Sequence, residues 1–229
     1  MQGRNYLKNL KDELLEHPLF DDPLIENITS VSVFETDKAQ KFANLYYPHI
    51  LRTRLYQAST LGITPDENIQ FVLSGILYDE YGLGNSTKSH MQLYRNFMQA
   101  IGLDIKPYSQ YKIIPELQMY ISAMEQLTRN GDWLSAVAAV GVASEWPIPK
   151  YYQLLLNGLR KIPGINDANL ELFVGHIELD IEHSEMIEQS VLPYLNDPEN
   201  QKRFDEGIKI NMDARRVLHA GLNREIFES

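Results

Sequence analysis

Apolar residues along this chain recur at spacings of three and four rather than in alternation, which predicts helices almost throughout. A first helix is expected from about Asn5 to Glu16, stopped by Pro18. A second runs from about Asp37 to Leu61 and must bend near Pro48. Thr64-Pro65-Asp66-Glu67 has the form of a helix start, with proline at the first helical position and early acids. The helix it opens carries Ile69, Val72, Leu73, Ile76 and Leu77 toward Glu80. The run YGLGNSTKSH then breaks the pattern, because Gly82, Gly84, Asn85 and Ser86 favour caps over helix interiors. A fourth helix follows to about Ile101, and a fifth spans Pro115 to Thr128. The sixth, from about Trp133 to Trp146, contains SAVAAVGVAS, whose small side chains suit a central helix packed on all sides. Pro147 and Pro149 disturb the chain just after Glu145, and a seventh helix reaches about Arg160. After Pro163-Gly164, Asn166 or Asp167 caps an eighth helix that runs to about Ser190. Asn196-Asp197-Pro198 starts a last one, to about Asn223. Strand signals are nearly absent, so an all-α bundle is expected, as a single domain over residues 1–229.

Composition narrows the chemistry. The 31 acidic and 21 basic residues leave a net charge of −10, which makes nucleic acid and anionic membranes poor partners. The sequence has no apolar run of about 18 residues and no charged-then-apolar leader, so a cytoplasmic address is expected. There is no cysteine. Disulfides, iron–sulfur clusters and thiolate nucleophiles are excluded, and any metal must be held by His, Asp and Glu.

The eighth helix carries HIELDIEH, in which His176, Asp180 and His183 fall at offsets 0, 4 and 7 and share one helical face. Two imidazoles and a carboxylate suit a redox-active transition metal such as iron, with zinc or manganese as competitors. A solvated charged helix would produce the same string. Three further donors stand at helix ends beside strongly apolar segments: Glu80, His90 and Glu145. An unpartnered carboxylate there would cost several kcal/mol, so a shared metal pair is the natural partner. Asp79 is the rival of Glu80.

In LYDEYGLGNSTKSHMQLYRNF, GVASEWPIPKYY and FVGHIELDIEHSEM the order is Glu, His ten residues on, Glu with a proline four residues later, then H-x-x-x-D-x-x-H. This order resembles the heme-oxygenase-like di-iron oxidases, related in fold to heme oxygenase, TenA, pyrroloquinoline-quinone synthase and the chlamydial CADD protein. FANLYYPHILRTRLYQAS is similar to the second core helix of that fold, and the resemblance runs from about Leu14 to Leu195. It implies a heme-oxygenase-like up-and-down bundle of about seven core helices and a di-iron centre of two Fe(II) ions with O2 as co-substrate. It places Glu80, His90 and Asp180 on one iron and Glu145, His176 and His183 on the other. TenA thiaminases need a cysteine, which this chain lacks. The chlamydial branch that makes para-aminobenzoate from its own side chains has a tyrosine and a lysine where Phe20 and Leu155 stand here, which argues against that self-consuming reaction.

The remaining candidates are plainer. His49 is expected to cap or fill the core, His219 to lie on the surface and His17 to be structural. Tyr46, Tyr47, Tyr56, Tyr78, Tyr81 and Tyr94 are core residues or pocket walls. Glu178, Glu182, Glu185 and Glu188 should form a solvated face. A substrate carboxylate would want a guanidinium fork. Arg215, Arg52 and Tyr78 are the candidates to bind it, ahead of Arg54 and Arg216. The implied activity is O2-dependent oxidation of a small carboxylate-bearing metabolite, foremost an amino acid, by N-oxygenation, desaturation, carbon–carbon cleavage or rearrangement, for example to a nitrile. An external electron donor and a homodimer accompany this reading. A cofactorless oxidase of the quinone-synthase kind, or a partner-binding bundle with vestigial ligands, stays open.

Overall fold

The structure, a computed structural model, describes residues 2–228. The side chain of Glu178 lies outside the described set, and with it that part of the expected solvated face. Among the described residues there are helices and turns and no strand. The α-helices are α1 (Gln2–Leu15), α2 (Pro23–Ser30), α3 (Thr36–Ile63), α4 (Glu67–Glu80), α5 (His90–Ala100) and α6 (Pro115–Asn130). They continue as α7 (Trp133–Val137), α8 (Ala143–Glu145), α9 (Ile148–Leu159), α10 (Glu171–Val191) and α11 (Pro198–Phe227).

Most starts are chemically marked. Asp66, Ser89, Asp132 and Asp197 each accept a hydrogen bond from a backbone N–H of the first turn they precede. α2 has no counterpart in the expected elements. Its eight residues bury only Leu24, Ile25 and Ile28, too few turns for periodicity to declare itself. α3 continues through the buried Pro48, forgoing the bond its missing N–H would donate.

Two apolar clusters form the core. The larger joins aromatic residues such as Tyr47, Tyr94, Phe97, Tyr120 and Phe173, contributed by α3, α5, α6 and α10. The smaller joins Leu7, Leu73, Val137, Ile187 and Phe204, from α1, α4, α7, α10 and α11. α11 lies against α6 and α7, and a Cβ at Gly207 would stand 1.9 Å from the Ser135 carbonyl oxygen. The small-residue segment is therefore central, as its composition predicts. The polar site opens where the clusters meet, with His176 following Phe173 of one and Glu145 following Ala143 of the other.

Candidate metal centre

Between α7 and α8 the chain widens into a π-helical turn, Ala138–Val142. An inserted residue of this kind shifts the register of everything after it. The carbonyl of Ala139 is stabilised from two sides, by Ser144 Oγ at 3.0 Å and by Asn211 Nδ2 at 2.6 Å. This turn delivers the buried Glu145 to the interior just before Pro147 redirects the chain.

Glu80, at the last turn of α4, His90, at the first turn of α5, and His176 on α10 place ligand atoms within 4.8 Å of one another. Glu145, Asp180 and His183 form a second triad by the same measure. The membership differs from the expected partition by one exchange: His176 joins Glu80 and His90, and Asp180 joins Glu145 and His183. The reason is helical rise. Four residues advance about 6 Å along α10, so His176 and Asp180 sit at different levels. His176 is level with His90, ring centroids 4.1 Å apart, whereas Asp180 Oδ1 lies 3.6 Å from His183 Nδ1.

The histidine tautomers are fixed by acceptors. Asp79 Oδ2 is 2.8 Å from His183 Nε2. A carboxylate accepts only, so Nε2 carries the proton, and Nδ1 faces Glu145 at 3.5 Å and Asp180. The Leu172 carbonyl is 2.6 Å from His176 Nδ1, which leaves Nε2 for a ligand role. Asp79 and Glu80 thus divide the work, Glu80 in the triad and Asp79 behind a histidine, an outer contact typical of metal sites.

The electrostatics fit a cation. Burial, then the charge of Glu145, drives the Asp180 carboxyl well above its ordinary range. Burial alone would depress His183, but hydrogen bonds to Asp180, Glu145 and Asp79 prevail and push it up to about 11. His176 is held down at about 3 by burial and by His90. Burial opposes ionisation of Glu80, yet His90, through its charge and a hydrogen bond, and His183 outweigh it and keep this carboxyl below its usual value. His90 Nδ1 lies 3.0 Å from Glu80 Oε2, joining the two ends of the break between α4 and α5. Six buried or nearly buried donors, one of them a histidine protonated where a metal would sit, suit iron coordination.

Five of the six donors, all but His183, border a cavity of about 60 Å³. Tyr46, His49, Thr53, Tyr56 and Gln57 enter it from α3, Tyr120 from α6, Tyr152 from α9 and Arg215 from α11. Arg215 is buried, and its Nε and Nη1 have no hydrogen-bond partner. Burial and the charge of Arg215 lower His49 to about 3, so it is neutral, and its Nδ1 is also unpartnered.

Other expectations need correction. Arg52 is not in this cavity; its Nη1 pairs with Glu125 at 2.7 Å and its Nε with the Tyr108 hydroxyl at 3.0 Å. Tyr78 is 55% exposed and donates to the Leu83 carbonyl at 2.8 Å, closing the turn after α4. His219 is buried rather than superficial, because Asp22 and Tyr151 take both its nitrogens. His17 is structural, accepting from the Leu19 N–H at the start of a short 3-10 turn. Glu182 and Glu185 are exposed and Glu188 half-buried. The cavity roles of His49, Tyr120 and Tyr152 were not anticipated. For His49 the signal was available: Tyr46, His49, Thr53, Tyr56 and Gln57 recur at spacings of three and four, a polar stripe on a buried face.

The family described as iron-containing redox enzyme matches residues 40–216. A 4-aminobenzoate synthase of Nitrosomonas europaea is 25% identical over 82% of this chain and 76% of its own length. A 4-chloro-allylglycine synthase of Streptantibioticus cattleyicolor is 22% identical over 90% of this chain and 77% of its own. A CADD-like protein of unknown function from Nostoc punctiforme shares the fold, with a TM-score of 0.76 at 18% identity over 98% of both chains. A protein from Shewanella denitrificans with a heme oxygenase-like fold follows at 0.68 and 14%, covering 97% of this chain and 90% of that one. No helix among the described residues is long and apolar enough to cross a membrane.

Proposed function

Because the chain belongs to the iron-containing redox enzyme family, we propose that it is a non-heme di-iron oxidase that uses O2 to oxidise a small carboxylate-bearing metabolite, foremost an amino acid. The observation that carries this reading is one cavity bordered by five of the six triad donors and by a buried arginine with unpartnered nitrogens. Glu80, His90 and His176 would hold one iron, and Glu145, Asp180 and His183 the other. Two ferrous ions bound there would supply the electrons that activate O2.

The chain's own residues do the rest. Arg215, buried in the cavity wall with Nε and Nη1 lacking partners, would pair with the substrate carboxylate, a charge-assisted contact strengthened by burial. His49, neutral, adds a polar nitrogen to the same wall without repelling a substrate ammonium. Tyr46, Tyr56, Tyr120 and Tyr152 form an aromatic lining that restricts water. Asp79 and the Leu172 carbonyl hold His183 and His176 in the tautomers that free one nitrogen each. A cavity of about 60 Å³ favours an amino-acid-sized ligand over a long acyl chain. Names of two relatives, an aminobenzoate synthase and a chloro-allylglycine synthase, support amino-acid-like chemistry.

The test is oxygen uptake by protein loaded anaerobically with ferrous iron and offered a panel of amino acids and fatty acids. Iron-dependent, substrate-triggered uptake with one or a few amino acids is expected. Uptake with fatty acids alone would overturn the substrate class, and none with either would overturn the activity.

A further inference from the structure

Behind the cavity, a line of buried polar groups runs to Tyr151, a tyrosine that the proposed chemistry does not use and that also contacts Tyr46 of the cavity wall. Asp22 caps α2 through Oδ1, and its Oδ2 lies 2.5 Å from His219 Nδ1. The carboxylate can only accept, so Nδ1 carries the proton and Nε2 presents a lone pair. The Tyr151 hydroxyl is 2.9 Å from that Nε2 and donates to it. Tyr151 and His219 are both essentially without solvent contact.

On its other side Tyr151 leads to the metal cluster. Its ring centroid is 5.8 Å from that of Tyr152, which is 5.5 Å from His176. Aromatic contact therefore runs from a candidate iron ligand to the Asp22–His219 pair in steps under 6 Å. Two other buried tyrosines lack this arrangement: Tyr94 donates to the Ala43 carbonyl, and the Tyr47 hydroxyl meets Arg95. Neither of those partners can take a phenolic proton.

Burial holds the Tyr151 phenol well above its usual range, so the proton does not leave by itself near neutrality. Removal of an electron reverses this, because an oxidised phenol is a strong acid. It then needs an acceptor already in contact, and His219 Nε2 is in place. The products are a neutral radical in an apolar shell and an imidazolium beside Asp22, so no unpaired charge is created.

We propose that Tyr151 is a redox-active tyrosine, a one-electron donor to an oxidised iron centre, with His219 as its proton acceptor. The phenolic O–H bond breaks and an N–H bond forms at His219 Nε2. One electron passes by way of Tyr152 to the iron, which is reduced by one. The source of the oxidant rests on the proposed function; the tyrosine's own chemistry does not.

Two arms test this. In the first, ferrous-loaded protein without substrate is exposed to O2 and freeze-quenched for electron paramagnetic resonance. In the second, metal-free protein is flash-oxidised with a ruthenium polypyridyl photo-oxidant. A tyrosyl signal is expected in both, shifted in line shape by ring-deuterated tyrosine and lost in Tyr151→Phe. His219→Gln should form it at least about 100-fold more slowly, the low end for a lost positioned proton acceptor. Deuterated solvent should slow it in the native protein, an effect a purely structural Tyr151 would not produce. Asp22→Asn keeps the helix cap and should weaken the signal without unfolding α2. An unchanged signal in Tyr151→Phe overturns the proposal, as does absence of any tyrosyl signal in both arms. A Tyr151 signal in the photo-oxidised arm alone supports the tyrosine's role and counts against the di-iron reading.

Discussion

The two triads hold the same kinds of donor on different scaffolds. Asp180 and His183 share one helix, and Glu145 arrives on a π turn whose displaced carbonyl is held by Ser144 and Asn211. His183 is braced from behind by Asp79. The other triad takes Glu80 and His90 from the two ends of a break in the bundle. That break has left-handed backbone at three successive residues, Gly82, Leu83 and Gly84, and Leu83 alone costs about 1–2 kcal/mol in such a conformation. A Cβ at Gly82 would meet the Asn85 carbonyl oxygen at 2.4 Å, so only glycine fits there. The turn is closed by Tyr78, Asn85 and Ser89. Its order thus rests on local hydrogen bonds and an exposed Lys88–Glu171 ion pair to α10 rather than on core packing, the weaker kind of support. On the proposed reading, donors on a continuous, buried helix would be held in place before a metal arrives, and donors across a break would gain more of their order from it.

The largest expected effect is from removing a ligand. His183→Ala and His176→Ala should each abolish iron-dependent turnover, by more than the 10- to 100-fold typical of outer partners, with far-UV circular dichroism unchanged. The iron content should separate them: His183→Ala empties the rigid triad, whereas His176→Ala spares it. Full activity in both variants would sink the ligand assignment.

Arg215→Ala sharpens the contrast by touching neither triad. Iron binding should be unaltered, while apparent substrate affinity falls by about 2–5 kcal/mol if the pair is fully buried. Unchanged affinity would remove Arg215 as the anchor.

Asp79→Asn tests the brace. Iron affinity at the rigid triad should fall about 10- to 100-fold, with the other triad spared, in competition titrations against a chelator. Equal losses at both would erase the distinction.

The smallest effect is on protons. His183, raised to about 11, is protonated in metal-free protein across the neutral range. Iron must displace that proton, so affinity at this triad should rise as pH rises, by about tenfold per pH unit for each proton released. Calorimetry in buffers of different ionisation enthalpy reads the number directly. The stability that protonated His183 gives metal-free protein has the opposite sign: complete below about pH 6.5, it is lost as pH climbs toward about 11.

Much of this was legible in the sequence, because helical periodicity and caps are local properties. The bundle, the break after Glu80 and the central small-residue helix needed no tertiary information. The ligand order was legible as a resemblance, but the pairing of His176 with His90 was not, since it depends on how α5 sits along α10. Arg52 and Arg215 look alike in one dimension. Only the structure shows that Glu125 engages the first, while the second is buried with Nε and Nη1 lacking a hydrogen-bond partner. His219 was misplaced for the same reason, its partners Asp22 and Tyr151 being 197 and 68 residues away.

The most direct test of the central claim is an anaerobic ferrous titration followed by Mössbauer spectroscopy, with and without an amino-acid substrate that triggers oxygen uptake. Two irons per chain are expected, filling unequally: one tightly at Glu145, Asp180 and His183, the other at Glu80, His90 and His176 only with excess iron, helped by substrate. Two equal, tight, substrate-independent sites would contradict the difference between the triads, and saturation at one iron or none would contradict the di-iron centre itself.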